Sequence, residues 1–222
     1  MGGRLDNGTE RPRAISEFLI DRLIVGGATK LCFIISSDKS DILEYFGGTF
    51  AGIPICYVVQ PEPLGLCDAI FRTIPLVGPG ESVVVGLPDT VWLPADGLAT
   101  LPDDELAFLL FPVERPSLFD VVIADASGNV ERIDVKPSHP QGSWVWGSFK
   151  MPAAVMTDLF DLWWMRGRSD EYFGTLVNAY LARGGRARAF ANGQVYVDVG
   201  TLEGCRQAAR LLQSLGEIPV FI

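Results

Sequence analysis

Two stretches of this chain hold residue types that can do chemistry when a fold brings them together. One is Gln60-Pro61-Glu62-Pro63-Leu64-Gly65-Leu66-Cys67-Asp68-Ala69-Ile70; the other is the run Ser82-Val83-Val84-Val85-Gly86 with Leu87-Pro88-Asp89-Thr90 after it. A glycine in a turn that opens a helix, as Gly65 does, lets backbone N–H groups approach a base or a phosphate. An acid just past a buried strand, as Asp89 is, can hold a metal ion beside them. Each has a plainer reading as well. Gln60 can be a polar strand end, Gly65 a helix cap and Asp89 a turn residue after proline. The metal reading of Asp89 gains from its place after a buried strand, because ligands collect at strand carboxyl ends in α/β folds.

The elements that must position these residues follow from apolar periodicity. Ile15, Phe18, Leu19 and Leu23 recur at helical spacing, and Gly26-Gly27 stops that helix before the β-rich run Leu31 to Ile35. Ser40 to Phe46 reads as a second helix, Ile55 to Val59 as a strand, Gly65 to Thr73 as a helix and Ser82 to Gly86 as a third strand. Apolar strands separated by helices are what a parallel sheet covered on both faces requires, so the expected core is doubly wound α/β. After Leu101 the pattern changes. Leu106 to Val113, Val121 to Ala124 and Val130 to Asp134 read as strands joined by turns such as Asp125-Ala126-Ser127-Gly128-Asn129, which predicts a small mixed or antiparallel extension. A helix carrying Ala154, Val155, Leu159 and Leu162, another from Glu171 to Arg183, a strand from Val195 to Asp198 and a helix from Leu202 to Leu215 complete the order. With no repeats or long linkers, residues 1–222 are expected to form one domain.

Composition narrows the function. A net charge of −9 over 222 residues excludes phosphate-backbone binding as the main task, since a nucleic-acid footprint needs clustered Lys and Arg. Cys32, Cys56, Cys67 and Cys205 have no C-x-x-C spacing and lie far in sequence from the one histidine, His139. They are expected to be buried reduced thiols rather than a zinc or redox site. No apolar run reaches membrane-spanning length and no secretory leader opens the chain, so a cytoplasmic protein without membrane contact is expected.

In this order the motifs resemble the sugar-phosphate nucleotidyltransferases, which make nucleoside-diphosphate sugars, over about Ala14 to Leu212. Gln60 to Ala69 looks like the family's Q-x-x-P-x-G-L-A-x-A, and Gly86 to Thr90 is similar to its G-D segment. Val135-Lys136-Pro137 resembles E-K-P. Val145-Trp146-Gly147-Ser148-Phe149 looks like the strand with a sugar-facing glycine, and Val197-Asp198-Val199-Gly200-Thr201 resembles W-x-D-x-G-T. The resemblance implies a Rossmann-like three-layer α/β/α fold with a mostly parallel, mixed central sheet. It implies in-line attack of a sugar 1-phosphate on the α-phosphorus of a nucleoside triphosphate, with Mg²⁺ as cofactor and pyrophosphate released. Carried over, Gln60 meets the base edge, Gly65, Leu66 and Pro88 line the nucleotide, Asp89 binds Mg²⁺, Lys136 neutralises a phosphate and Gly147 leaves room for the sugar. Lys136 can equally be a solvated charge and Gly147 a bulge. Asp198 reads as structural at least as readily as catalytic.

The pattern also breaks. The family opens with a strand, a Gly-rich loop A-A-G-x-G-T-R-L and a lysine; here Gly3-Arg4-Leu5 could end such a loop, with Arg11-Pro12-Arg13 replacing the lysine segment. The preferred reading makes Asp6 to Arg13 the connection into the Ile15 helix, with the loop upstream of Met1. A sheet lacking that strand would expose an edge and invite a homo-oligomer. The E-K-P glutamate is Val135, a second metal aspartate falls on Leu176 with Asp170 or Glu171 as candidate substitutes, and Asp120 stands where the family commonly has glycine. The rival reading is therefore a catalytically silent nucleotide- or sugar-nucleotide-binding module. A glycosyltransferase lacks its D-x-D and a nicotinamide-dependent dehydrogenase its G-x-G-x-x-G.

Overall fold

The computed structural model describes the backbone of residues 3–4 and 10–11 and all of residues 13–216. The expected connection from Asp6 to Arg13 and the candidate loop end at Leu5 lie mostly outside the described residues. What is described there is a short antiparallel pair, β1 (Gly3–Arg4) with β2 (Glu10–Arg11).

Helix α1 (Ile15–Val25) begins where the Glu17 carboxylate accepts the Ala14 N–H at 3.1 Å and ends at Gly26. That reciprocal use of an acid in the first turn satisfies one of the open N–H groups of a helix start. There follow β3 (Leu31–Ile35), α2 (Ser40–Phe46), β4 (Thr49–Phe50), β5 (Ile53–Val59) and α3 (Leu66–Phe71). β3 and β5 run parallel with Leu31 opposite Ile55, and β4 turns back antiparallel on β5. Next come β6 (Ser82–Gly86), β7 (Thr90–Leu93), β8 (Leu106–Pro112), β9 (Val121–Ala124), β10 (Val130–Asp134) and β11 (Trp144–Pro152). The chain continues through α4 (Ala153–Met165), α5 (Phe173–Ala182), β12 (Ala187–Phe190), β13 (Val195–Asp198) and α6 (Leu202–Ser214).

The α/β class stands, but the strand directions differ from expectation. The main sheet has the order β10-β9-β11-β8-β12, with β6 also on β11. Among the described residues only β3 with β5 and β8 with β12 pair parallel; β6 joins β11 antiparallel rather than β3 or β5. The expected parallel majority and small extension are thus reversed: the antiparallel part carries the larger sheet. An apolar run such as Leu106 to Phe111, buried along its whole length, reports cover on both faces and says nothing of direction.

Cover on one face comes from α3, α4 and α5, which pack Cys67, Phe71, Leu159, Trp163, Phe173 and Leu176 against Phe108, Phe149 and Met151. On the other face α1 reaches three clusters. Leu19 meets Trp92 and Leu109, Phe18 meets Val91, Val197 and Leu212, and Ile20 meets Leu31 and Ile55. Of the cysteines, Cys67 is buried, Cys32 and Cys205 are half-buried and Cys56 is exposed, so the expectation of buried thiols fails at Cys56. Burial pushes the Cys67 thiol up to about 12.

Leu176 is fully enclosed in this core. Leu176→Ala is expected to cost about 2–5 kcal/mol through lost contact and a cavity, read as a lower midpoint in urea unfolding with the slope unchanged.

Candidate functional site

The turn Leu87-Pro88-Asp89 leads straight into β7, and Thr90 Oγ1 donates to the Leu87 carbonyl across it at 2.8 Å. β13 lies antiparallel to β7 with Asp198 opposite Thr90, and the Val199 N–H donates to the Asp89 carbonyl at 2.8 Å. This ladder sets two carboxylates side by side. A Cβ built on Gly200 would stand 3.0 Å from Asp198 Oδ1 and 3.9 Å from Asp89 Oδ2. Although the turn faces solvent, protein packed around the Asp89 carboxyl raises its pKa above 3.8, and the Asp198 charge raises it further. The Tyr196 phenol is pushed up by burial and then by the same two carboxylates.

The segment after β13 explains itself physically. The Gly200 N–H donates to Asp198 Oδ1 at 2.7 Å and fixes that carboxylate. Thr201 caps α6 by accepting the Gly204 N–H at 3.0 Å. At Gly204 any Cβ would collide with the Asp198 carbonyl, so the helix can approach this strand end only through a glycine.

Two adjacent carboxylates of like charge repel, and a divalent cation between them removes that cost. Among the described residues no group of three or more His, Cys, Asp or Glu is placed to hold a metal ion. The pair alone offers oxygen ligands, so a cation held there would be a hard one that completes its shell with water and phosphate oxygens.

Gln60 follows β5, and its N–H extends the ladder by donating to the Ile35 carbonyl at 2.8 Å. Its side-chain Nε2 donates to the Gly65 carbonyl at 3.1 Å and to Asp68 Oδ2 at 2.9 Å. Burial pushes the Asp68 carboxyl up, but hydrogen bonds from Arg72 and Gln60 outweigh it and leave the pKa lowered. Gly65 has φ 91°, and a Cβ there would lie 2.7 Å from the Glu171 carbonyl; the position admits only glycine. The Leu66 N–H donates to that carbonyl at 3.1 Å. The Gln60 donor and the Leu66 N–H thus serve the loop itself, and Gln60 Oε1 is the amide atom left for a ligand.

Lys136 has φ 38°, an unusual value for a side-chain-bearing residue. Its backbone N–H meets the Asp120 carboxylate, and its ammonium lies 4.9 Å from the Tyr172 ring centroid. Phe119, beside Asp120, meets Tyr196 edge-on at 5.7 Å. Gly147 sits where the register of β11 on β8 shifts, and a Cβ there would stand 2.5 Å from Tyr196 Cε2. The space above that glycine belongs to the Tyr196 ring.

The structure brings Gln60 to Gly65 and Gly65 to Glu171, whose sequence neighbour Tyr172 meets Lys136; Lys136 meets Asp120, whose neighbour Phe119 meets Tyr196 above Gly147, while Asp89 stands by Asp198. Leu176 lies in the core instead. Asp170 is 4 % exposed and clamped by Arg166 at 2.7 and 2.9 Å, so it offers no metal ligand, and Glu171 holds the Gly65 loop. The carboxylate that stands beside Asp89 is Asp198, which the sequence reads as structural at least as readily as catalytic. Its signal was the order strand, Asp, x, Gly, Thr, in which the threonine starts a helix.

Fold and acidic pair together define a class of α/β proteins with carboxylates gathered at strand ends. Within it, the chain belongs to the nucleotidyl transferase family, whose model matches residues 9–214. Its fold is that of a Bacillus anthracis protein described as a glucose-1-phosphate thymidylyltransferase and solved with a sucrose (TM-score 0.77, 22% identity, covering 89% of this chain and 81% of that one). A UDP-glucose pyrophosphorylase from Acinetobacter baumanii is also similar (TM-score 0.69, 17% identity, 87% and 80% covered). In sequence the chain is 28% identical over 136 residues to a low-salt glycan biosynthesis nucleotidyltransferase of Haloferax volcanii, covering 58% of this chain and 37% of that protein. It is 25% identical over 205 residues to the glucose-1-phosphate thymidylyltransferase of Mycolicibacterium smegmatis, covering 88% and 70%. The chain thus spans little more than a third of the archaeal relative.

The raised pKa of Asp89 gives a signed prediction. A carboxyl whose folded pKa lies above its unfolded value costs stability once pH exceeds both, and costs nothing below the unfolded value. Asp89→Asn is expected to raise the melting temperature at pH 7 without added metal, and the gain should vanish as pH falls below about 3.8, the ordinary carboxylate value. Thermal melts from pH 3 to 8 check it; a melting temperature lowered at pH 7 contradicts it.

Proposed function

We propose that this chain carries the site of a sugar-1-phosphate nucleotidyltransferase, acting as one domain over residues 1–222 on a nucleoside triphosphate and a sugar 1-phosphate in the cytoplasm. The observation that carries the reading is the Asp89–Asp198 pair, set side by side by the ladder of β13 on β7. Four free thiols suit a reducing compartment, and among the described residues no helix is long and apolar enough to cross a membrane.

In this reading Gln60 Oε1 accepts from the base edge, while the backbone at Gly65, the Leu66 side chain and Pro88 wall the nucleotide. Lys136 neutralises a phosphate of the incoming sugar phosphate, and Gly147 lets Tyr196 close the floor beneath the sugar. Asp89 and Asp198 would hold Mg²⁺, which when bound would neutralise charge on the phosphates under transfer. A sugar-phosphate oxygen bonds to the α-phosphorus as the bond to the β,γ-unit breaks, and pyrophosphate leaves with its electron pair. The protein forms no covalent bond; it aligns two anions and lowers their repulsion.

Pyrophosphate release, measured across the common triphosphates and sugar 1-phosphates, tests this. Turnover is expected to require Mg²⁺, to stop on chelation and to fall about 100-fold or more in Asp89→Asn. No pyrophosphate from any pair, with the protein folded, sinks the reading, as does turnover indifferent to both chelator and substitution.

Self-association is proposed on separate grounds. Among the described residues β3 pairs only with β5, and β6 only with β11, so each presents a free edge of apolar sequence. Sedimentation equilibrium is expected to give a mass above the 24.2 kDa of one chain; a monomer at every concentration rejects it.

A further inference from the structure

Strands β3 and β5 run parallel, and their register sets Cys32 directly opposite Cys56. Side chains alternate along a strand, so residues opposite one another in a parallel pair leave the sheet on the same face. Leu31, Phe33, Ile55 and Tyr57 pack in one cluster with Ile20 of α1 and Phe46 of α2. Cys32 and Cys56, one residue out of step with these, therefore share the other face. The two thiols differ in access: Cys56 is exposed and Cys32 half-buried. Burial first, and then the charge of Cys56, push the Cys32 thiol up to about 11, while the Lys30 ammonium pulls it down. Each sulfur is thus close enough to feel the charge of the other. The remaining cysteines are placed differently. Cys67 is enclosed in the core, and the Cys205 thiol donates to the Val199 carbonyl at 3.1 Å.

Paired strands stand about 4.7–4.9 Å apart, inside the Cα separation of about 4.4–6.8 Å that a disulfide spans. A bond between these sulfurs needs no rearrangement of the sheet. An oxidant from solvent meets Cys56 first, because thiol oxidation follows exposure. A sulfenic acid formed there has a second thiol beside it, the arrangement in which the neighbour captures it as a disulfide.

We propose that Cys56 and Cys32 are a thiol-oxidation site, at which a hydroperoxide closes an intrachain disulfide between β3 and β5. The Cys56 thiolate bonds to one peroxide oxygen as the O–O bond breaks. The departing alkoxide keeps the electron pair and takes up the proton that the thiol released. Cys56 is now a neutral sulfenic acid, so its charge no longer opposes ionisation of Cys32, whereas Lys30 still favours it. The Cys32 sulfur gives up its proton and bonds to the Cys56 sulfur; the S–O bond breaks, and hydroxide leaves to take that proton as water. Two thiols are oxidised by two electrons, and the hydroperoxide is reduced to an alcohol and water. The new bond pins the ladder that continues to Gln60, whose N–H donates to the Ile35 carbonyl at 2.8 Å. A dithiol reverses it by exchange. The site is independent of the nucleotidyltransferase reading, since its readout is a covalent bond and needs no turnover.

The full chain is treated with hydrogen peroxide in the absence of reductant, alkylated under denaturing conditions and mapped by mass spectrometry. The expected result is the loss of two hydrogens from the chain and one linked peptide pair holding Cys32 and Cys56. Cys67 and Cys205 should remain alkylated, and dithiothreitol should restore all four thiols. In Cys32→Ser the sulfenic acid has no partner, so dimedone should label Cys56 where the wild type resists it. In Cys56→Ser both the linked peptides and any label at Cys32 should be lost. Should either variant fail to melt cooperatively, the wild-type peptide map alone decides. A bond between any other two cysteines, a covalent dimer through Cys56, or oxidation of Cys56 to sulfinic acid with Cys32 left free overturns the inference.

Discussion

The placement of the Asp89–Asp198 pair depends on the short ladder between β7 and β13. Four residue pairs, from Val195 with Leu93 to Asp198 with Thr90, fix where two acids far apart in sequence come to rest. A slip of one residue would turn Asp198 to the opposite face of the strand. The register is held from both sides. Val91 and Val197 are clamped between Phe18 of α1 and Ala208 and Leu212 of α6, and a polar face cannot replace them there without giving up that burial.

α1 is the element that ties this ladder to the rest. Its consecutive residues Phe18, Leu19 and Ile20 enter three different clusters, which a helix permits because neighbouring side chains point about 100° apart. Arg22 adds a directional constraint. Its buried guanidinium donates to the Trp92 carbonyl at 2.7 Å and to the Phe18 carbonyl at 2.6 Å, joining helix to strand β7. Placement of the Asp89 turn is therefore set by a helix that contributes nothing to the site itself.

Local patterns carried much of this in the sequence. The apolar runs at Leu31, Ile55, Ser82 and Leu106 marked strands, and the helical spacing around Leu159 and Leu202 marked helices; all of them form. What local patterns do not encode is partnership. Nothing in Ser82 to Gly86 states that it joins β11 antiparallel rather than the β3–β5 pair, because apolar strands buried on both faces read alike in either direction. The same gap explains the site. The positions of Gly65 and Asp89 were legible because a turn glycine and a post-strand acid leave local marks. The placement of Asp198 beside Asp89 was not, because it follows from a pairing across more than a hundred residues, and Leu176, on which the motif position of a second acid falls, is enclosed by the core.

Several features of the site run against stability, and they sit together. Asp89 and Asp198 are adjacent like charges, Lys136 holds a left-handed backbone without being glycine, and Asp120 and Trp146 keep buried polar atoms open. Each alone is an ordinary local defect. Their concentration along one line of contacts, next to a core in which Phe108, Phe149 and Phe173 pack without exposure, means that the fold tolerates them by over-determining everything around them. Of the three, the like charges of the acids would be relieved by a cation held between them. The Lys136 backbone is relieved by no ligand. It directs the N–H to Asp120 and the ammonium to the Tyr172 ring, so that strain is the means by which one residue serves two neighbours.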